Sequence, residues 1–208
     1  MTFAPEVPLD ATATAALATA AAAAVREDDR SLMAGVQRGD EGAFGRLLER
    51  WELPVKAVIM RLVLNTSEAE DLAQETFVRV WQQRSKYRVG AEFRPWLFAI
   101  AVNLARNRLR WWRRRPEVAL STWIETESAA VGRSEVGAGE LEAAERAAAL
   151  RAALAALPTD LREALVLFEY EELSHAEIAG VVGASAKAVE TRIYRAREKL
   201  REALAGWI

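Results

Sequence analysis

The stretch that decides the fold runs from Leu173 to Arg201 and reads LSHAEIAGVVGASAKAVETRIYRAREKLR. Ser174 with Glu177 three residues later has the form of a capping box. In that motif the hydroxyl accepts a backbone N–H of the first helical turn and the carboxylate reaches back to the capping residue's own N–H. The short helix that starts there ends at Gly183, whose backbone tolerates the conformation a tight turn requires. Ser185 can cap the next helix, in which Val189, Ile193, Ala196 and Leu200 form the buried stripe. Lys187, Glu190, Thr191, Tyr194, Arg195 and Arg197 then face outward. Upstream, Leu157-Pro158 opens a helix with Leu161, Leu165 and Phe168 on one face. Two helices joined by a tight glycine turn make a helix-turn-helix, whose second helix enters the major groove with its N-terminal residues leading. A helical hairpin used only for packing shares this pattern, but the cap, the turn and the basic face together favour DNA.

The first half of the chain has the same character. Helices are expected to begin near Asp28 and near Asp40, with another following Pro54 through Val55, Val58, Ile59, Leu62 and Val63. Asn65-Thr66-Ser67 breaks it, and Ser67 with Glu70 reads as another capping box. Ala73, Phe77, Val80, Trp81 and Arg84 then share one face, while Asp71, Gln74, Glu75 and Arg79 lie on the others. A loop over 85–92 holds Tyr87 and Gly90, and Pro95 suits the first turn of a last helix. Leu97, Ile100, Ala101 and Leu104 are that helix's buried stripe. Opposite them, Asn103, Arg106, Asn107, Arg110 and Arg113 form a ridge of the two side chains best suited to phosphates and base edges. The ridge has no acidic neighbour at helical spacing, which turns it from an ordinary solvated face toward nucleic acid.

Composition closes off other classes. The 208 residues make one or two domains. With no Cys and a single His, His175, there is no disulfide framework, thiolate metal site, Cys nucleophile or paired-His zinc motif. No metal or cofactor is expected, and the raw material for a helical enzyme is poor. No apolar run approaches the ~18 residues of a membrane span, so a cytoplasmic protein is expected. The net charge of −2 hides two basic patches separated by acidic segments. Six Arg and no acid lie between Asn103 and Pro116, and seven Glu with only Arg133 lie from Glu117 to Glu145. Six basic residues against two Glu follow from Lys187 to Arg201, which suggests a polyanion touched at two places.

These observations predict an all-α chain of two small helical domains joined by a flexible acidic linker. Residues 1–25, Ala-rich, are expected to be a disordered leader, followed by a first domain over 26–115, the linker over 116–140 and a second domain over 141–208.

The residues also resemble a known family. Asp71-Leu72-Ala73-Gln74-Glu75-Thr76-Phe77-Val78-Arg79-Val80-Trp81, followed by Phe93-Arg94-Pro95-Trp96-Leu97-Phe98-Ala99-Ile100-Ala101-Val102-Asn103, resembles region 2 of bacterial RNA polymerase sigma factors. Leu157 to Glu163, Leu173 to Ala179 and Val189 to Arg197 resemble region 4. Two such regions with only a linker between them are similar to the extracytoplasmic-function (ECF) group of the sigma-70 family. The resemblance implies a non-enzymatic subunit that binds RNA polymerase core and directs promoter-specific initiation. It further implies that Asp71, Gln74, Glu75 and Arg79 dock on the clamp of the largest polymerase subunit, with region 4 meeting the flap. Tyr87 and Phe93 match the part that captures an unstacked base of the −10 element, and Trp96 reads as core beneath them. Asn103, Arg106, Asn107 and Arg110, with Arg113 beside them, match the −10 binding helix. Lys187, Glu190, Thr191, Tyr194, Arg195 and Arg197 fall on the helix that reads the −35 element. Promoter DNA, polymerase core and an anti-sigma factor are the implied partners, with no membrane insertion.

Glu190 departs from the basic residue of several relatives, and either accepts from a cytosine amino group or pairs locally with Lys187 or Tyr194. Trp111-Trp112 either stack on a melted strand or pack against the linker. The acidic linker either mimics RNA in a basic channel or merely solubilises. A non-sigma regulator with a sensing first half would need an apolar pocket or a phosphoacceptor pattern, and neither is visible in the sequence. A sigma mimic that binds only an anti-sigma protein has no need of the Arg-rich face.

Overall fold

The computed structural model describes residues 29–115 and 138–207, with side chains from 144 onward in the second segment. The expected leader and most of the acidic linker lie outside the described residues. All regular structure among the described residues is helical. The first module comprises α1 (described over 29–37), α2 (Glu41–Val63), α3 (Thr66–Gln82), a 3-10 turn (Arg84–Lys86) and α4 (Phe93–Arg114). The second comprises α5 (Ala138–Ala156), α6 (Thr159–Glu169), α7 (His175–Val182) and α8 (Ala186–Ala203). α5 begins three residues inside the segment expected to be linker.

Two expectations are corrected in the first module. Pro54 does not start a helix; it lies inside α2. Leu47 and Trp51 before it and Val55, Val58, Ile59 and Leu62 after it are all buried on one stripe. Burial of such side chains contributes about 1.5–3 kcal/mol each, which outweighs the roughly 3 kcal/mol cost of a proline in mid-helix. The cap of α3 is Asn65, not Ser67. Leu64 ends α2 in the left-handed region (φ 59°), and extended Asn65 then accepts from the Glu68 N–H at 2.9 Å. Ser67 is therefore already within the helix, and Glu70 pairs instead with Lys56 of α2 at 2.6 Å. Asp40 does cap α2, accepting from the Ala43 N–H at 3.0 Å.

The second module follows its sequence closely. Ser174 and Glu177 form the full capping box, Gly183 closes α7 at φ 69°, and Ser185 caps α8 by accepting from the Ala188 N–H at 3.2 Å. Leu161, Leu165, Ile178, Val181, Val189, Ile193 and Ala196 are buried between α6, α7 and α8.

The two modules touch. α4 packs on α7 and α2 on α6, and one apolar core runs through both modules. Buried Arg162 of α6 donates across the junction to the carbonyl of Leu62 (2.7 Å) and within its own module to Ala155 and Leu157 (3.2 Å each). The Arg61 guanidinium lies 3.8 Å from the centre of the Tyr170 ring, and Arg94 donates to the backbone carbonyl of buried Glu171.

Candidate nucleic-acid and polymerase interfaces

Helix α8, the second helix of the helix-turn-helix, presents an open N-terminal end. Lys187, Glu190, Tyr194 and Arg195 are exposed and Thr191 is half-buried. Glu190 accepts from Lys187 at 2.9 Å, and this hydrogen bond, with the Lys187 charge, lowers its carboxyl pKa. Local pairing is thus the arrangement adopted by the free helix, although an exposed pair of this kind is worth little and yields readily to a better partner. The Thr191 hydroxyl donates to the Lys187 carbonyl at 2.9 Å. Arg197 looks the other way: it makes two hydrogen bonds to Glu169 of α6 (2.9 and 2.6 Å) and lies over Phe168. It straps α8 to its own module, a contact across 28 residues that helical spacing does not reveal. His175 stacks on Phe168 with ring centres 5.3 Å apart.

The α4 ridge forms as its spacing predicts. Leu97, Phe98, Ala101, Val102 and Ala105 are buried, while Asn103, Asn107, Arg110 and Arg113 are exposed. Arg110 donates to Asn107 on the same face. Arg106 is different. Its Nε and Nη2 both donate to the Glu163 carboxylate of the second module, at 3.0 and 2.6 Å. The hydrogen bond to Glu163 raises its pKa against the opposing effect of burial. Arg113 donates to the Thr159 hydroxyl at 2.7 Å.

Tyr87 and Phe93 do not offer a face for an unstacked base. Tyr87 is 3% exposed and Phe93 1%. Tyr87 packs edge-on to Phe93 and to Trp96, and Phe93 packs edge-on to Trp51 and at a tilt to Trp96. Interlocked aromatic rings gain both burial and favourable edge-to-face geometry, which holds them in the core. The Tyr87 hydroxyl donates to the Ala91 carbonyl and closes the turn, and burial raises its pKa. Half-buried Trp96 sits beneath that turn as expected. Trp112 is also buried, with its indole N–H unpartnered. Trp111 instead lines a cleft of about 660 Å³ with Glu75, Arg79, Asn107, Arg110 and Arg114.

That cleft joins the ridge to the outer face of α3, where Asp71, Gln74 and Arg79 are exposed and half-buried Glu75 pairs with Arg79 at 2.9 Å. On the opposite flank of α3, a groove of about 700 Å³ is floored by Phe44, Leu48, Ala73, Phe77 and Trp81. Val78, 52% exposed, lies at its edge, and Glu41, Glu52 and Glu70 are among the polar residues around it. The sequence reading missed this groove, because it treats Phe77 and Trp81 only as core. The one local signal was Val78, an apolar residue among the polar positions of α3.

Among the described residues no group of His, Cys, Asp or Glu is placed to hold a metal ion, and no helix is long and apolar enough to cross a membrane.

A capped helix-turn-helix on one helical module and an Arg/Asn ridge on the other have the form of a DNA-binding protein. Residues 47–115 match the Sigma-70 region 2 family and residues 147–200 the Sigma-70 region 4 family. The chain is 35% identical over 183 residues to the RNA polymerase sigma-H factor of Pseudomonas aeruginosa, covering 86% of this chain and 95% of that one. It is 33% identical over 176 residues to the ECF RNA polymerase sigma-E factor of Escherichia coli (strain K12), covering 83% and 92%. Among solved structures it is similar to CnrH in complex with the cytosolic domain of CnrY, with a TM-score of 0.64, 31% identity, and coverage of 86% and 98%. The sigma factor RpoE bound to the anti-sigma factor NepR from Bartonella quintana shares the fold at a TM-score of 0.59 and 24% identity, covering 78% and 96%. The chain belongs to the sigma-70 family of RNA polymerase sigma factors, in its ECF group.

Proposed function

We propose that this chain is a promoter-specificity subunit that binds RNA polymerase core, reads duplex −35 DNA with α8 and holds the melted −10 strand on the α4 ridge. The observation that carries this reading is the pairing, in one chain, of a capped helix-turn-helix with an Arg/Asn ridge on a helix that has no acidic residue of its own. No covalent chemistry is required. A ligand shifts an equilibrium only by its differential affinity, so a ridge that binds the open strand better than the duplex favours melting. Asn103, Arg106, Asn107, Arg110 and Arg113 are the strand contacts; Tyr87 and Phe93 shape the turn beside them. Lys187, Glu190, Thr191, Tyr194 and Arg195 are the −35 contacts. Asp71, Gln74, Glu75 and Arg79 are the polymerase-facing residues, and the neighbouring apolar groove widens that surface. An anti-sigma factor is a further partner, and the protein works beside polymerase in the cytoplasm.

The test is reconstitution with polymerase core. Arg106→Ala with Arg110→Ala abolishes promoter opening, read by permanganate reactivity, while core binding survives. Asp71→Ala with Glu75→Ala weakens core binding instead. Normal opening by the first pair overturns the ridge assignment.

A further inference from the structure

The ridge and the helix-turn-helix leave Trp111 without a task. Its neighbour Trp112 is buried, but Trp111 stays half-buried on another stripe of α4. Leu104, Asn107, Arg108, Trp111 and Arg114 recur at i, i+3, i+4, i+7 and i+10, so they share the side of the helix turned toward α3. The cleft of about 660 Å³ between the two helices is of the size that small-molecule sites have. Leu72 and Leu104 add apolar surface beside the indole.

The charges around this cleft do not cancel. Four arginines line it against a single carboxylate, that of Glu75. Arg79 is taken up by Glu75 at 2.9 Å, and Arg108 by Glu68. Arg110 has only the uncharged side-chain carbonyl of Asn107, and Arg114 meets no carboxylate among the described residues. Arg110 and Arg114 are four residues apart, where like charges on one helix repel. The negative end of the α4 dipole offsets only about half a charge there. An anion between the two guanidiniums relieves the repulsion. The Arg115 guanidinium lies 5.2 Å from the centre of the Trp111 ring. The indole therefore offers a face to a planar partner, and so loose a contact at an exposed arginine yields readily to a better one.

We propose that the cleft between α3 and α4 is a nucleotide-binding site, in which a base replaces Arg115 on the face of Trp111 and Arg110 and Arg114 take the phosphates. Stacking on the indole tolerates any base, because every base has a π-face. The forked guanidiniums take phosphate oxygens in pairs. A free nucleotide and a nucleotide unit of a single strand present the same chemistry to these groups. The site lies on a different stripe of α4 from the ridge and stands whether or not the ridge reads DNA.

The test uses the full chain at low salt. Calorimetric titrations with adenosine diphosphate, adenosine and inorganic pyrophosphate separate the contributions of base and phosphate, and fluorescence anisotropy follows a labelled tetranucleotide of deoxyadenosine. Adenosine and pyrophosphate each bind at least about tenfold more weakly than the diphosphate, since each lacks one half of the recognition. Trp111→Ala weakens binding by about tenfold, within the range of base–aromatic stacking, and Trp111→Phe recovers most of the loss. Arg114→Ala weakens it by about fivefold to tenfold. Lys199→Ala, which removes one positive charge at an exposed position of the second module, leaves it unchanged. Binding of the diphosphate assigns the site to a free nucleotide; binding of the tetranucleotide alone, lost with Trp111→Ala, assigns it to a strand. Failure of both ligands to bind overturns the proposal, as do equal losses from Lys199→Ala and Arg114→Ala, which show attraction by net charge alone. Tetranucleotide binding that Arg106→Ala abolishes and Trp111→Ala spares belongs to the ridge: it overturns the cleft and leaves the ridge reading intact. Should Trp111→Ala not fold, Arg114→Ala, at an exposed position, decides: unchanged affinity overturns the site.

Discussion

Arg162→Ala is the substitution whose cost can be worked most fully from the structure. The buried guanidinium donates to three backbone carbonyls, of Leu62 at 2.7 Å and of Ala155 and Leu157 at 3.2 Å. Leu62 lies in the last turn of α2 and Ala155 in that of α5, where carbonyls have no partner within the helix and the helix dipole favours a cation. Hydrogen bonds from a charged donor contribute about 1.5–3 kcal/mol each, so three make about 5–9 kcal/mol. Opposing them is the cost of burying the charge, several kcal/mol. That cost is visible in the Arg162 pKa, which burial lowers first and the nearby Arg113 charge lowers further, against the pull of Glu163. The buried Nε has no partner, which adds to it. The net loss is about 2–3 kcal/mol, or a drop of about 4–12 °C in Tm for a chain of this size. Differential scanning calorimetry reads it directly. Arg162→Lys falls between parent and Ala, because one ammonium cannot span three carbonyls fixed on different elements. A melt of Arg162→Ala within about 1 °C of the parent refutes the reasoning, since that is a few tenths of a kcal/mol.

The remaining predictions concern the second module. Burial raises the Glu171 carboxyl pKa, with Arg94 opposing; the native state therefore holds its proton over a window just above the ordinary carboxylate range, and stability falls as pH rises through that window. Urea midpoints taken across it show this slope in the parent and a flatter one in Glu171→Gln; equal slopes count against the assignment. Gly183→Ala puts a Cβ on a residue at φ 69° with open space around it, so the cost is backbone strain alone, about 1–2 kcal/mol. The urea midpoint falls accordingly, and an unchanged midpoint shows that the turn relaxes to another conformation.

Local patterns carried much of this protein. Ser174, Glu177, Gly183 and Ser185 do in the fold what their identities imply, because a cap or a left-handed turn is satisfied within a few residues. The α4 ridge was legible for the same reason: a 3.6-residue period places Asn103, Arg106, Asn107, Arg110 and Arg113 on one side wherever the helix packs. The sigma-70 family was likewise readable from two motifs in order, with no structure needed.

What packing decides was not legible. Pro54 looks like a helix start until the stripe on both sides of it is seen to face one core. Asn65 rather than Ser67 caps α3, because Leu64 turns the chain one residue earlier than spacing alone suggests. Tyr87 and Phe93 carry the chemistry of a base-stacking site, yet they are buried in an aromatic cluster built from three separate segments. Glu163 sits 57 residues from Arg106, and no local period links them. Helix type and the caps of the second module depend on neighbours along the chain, and the sequence alone determined them. Which face is covered, and by what, depends on contacts between distant segments, so only the tertiary structure decided that the Arg/Asn ridge of α4 is partly covered by the second module.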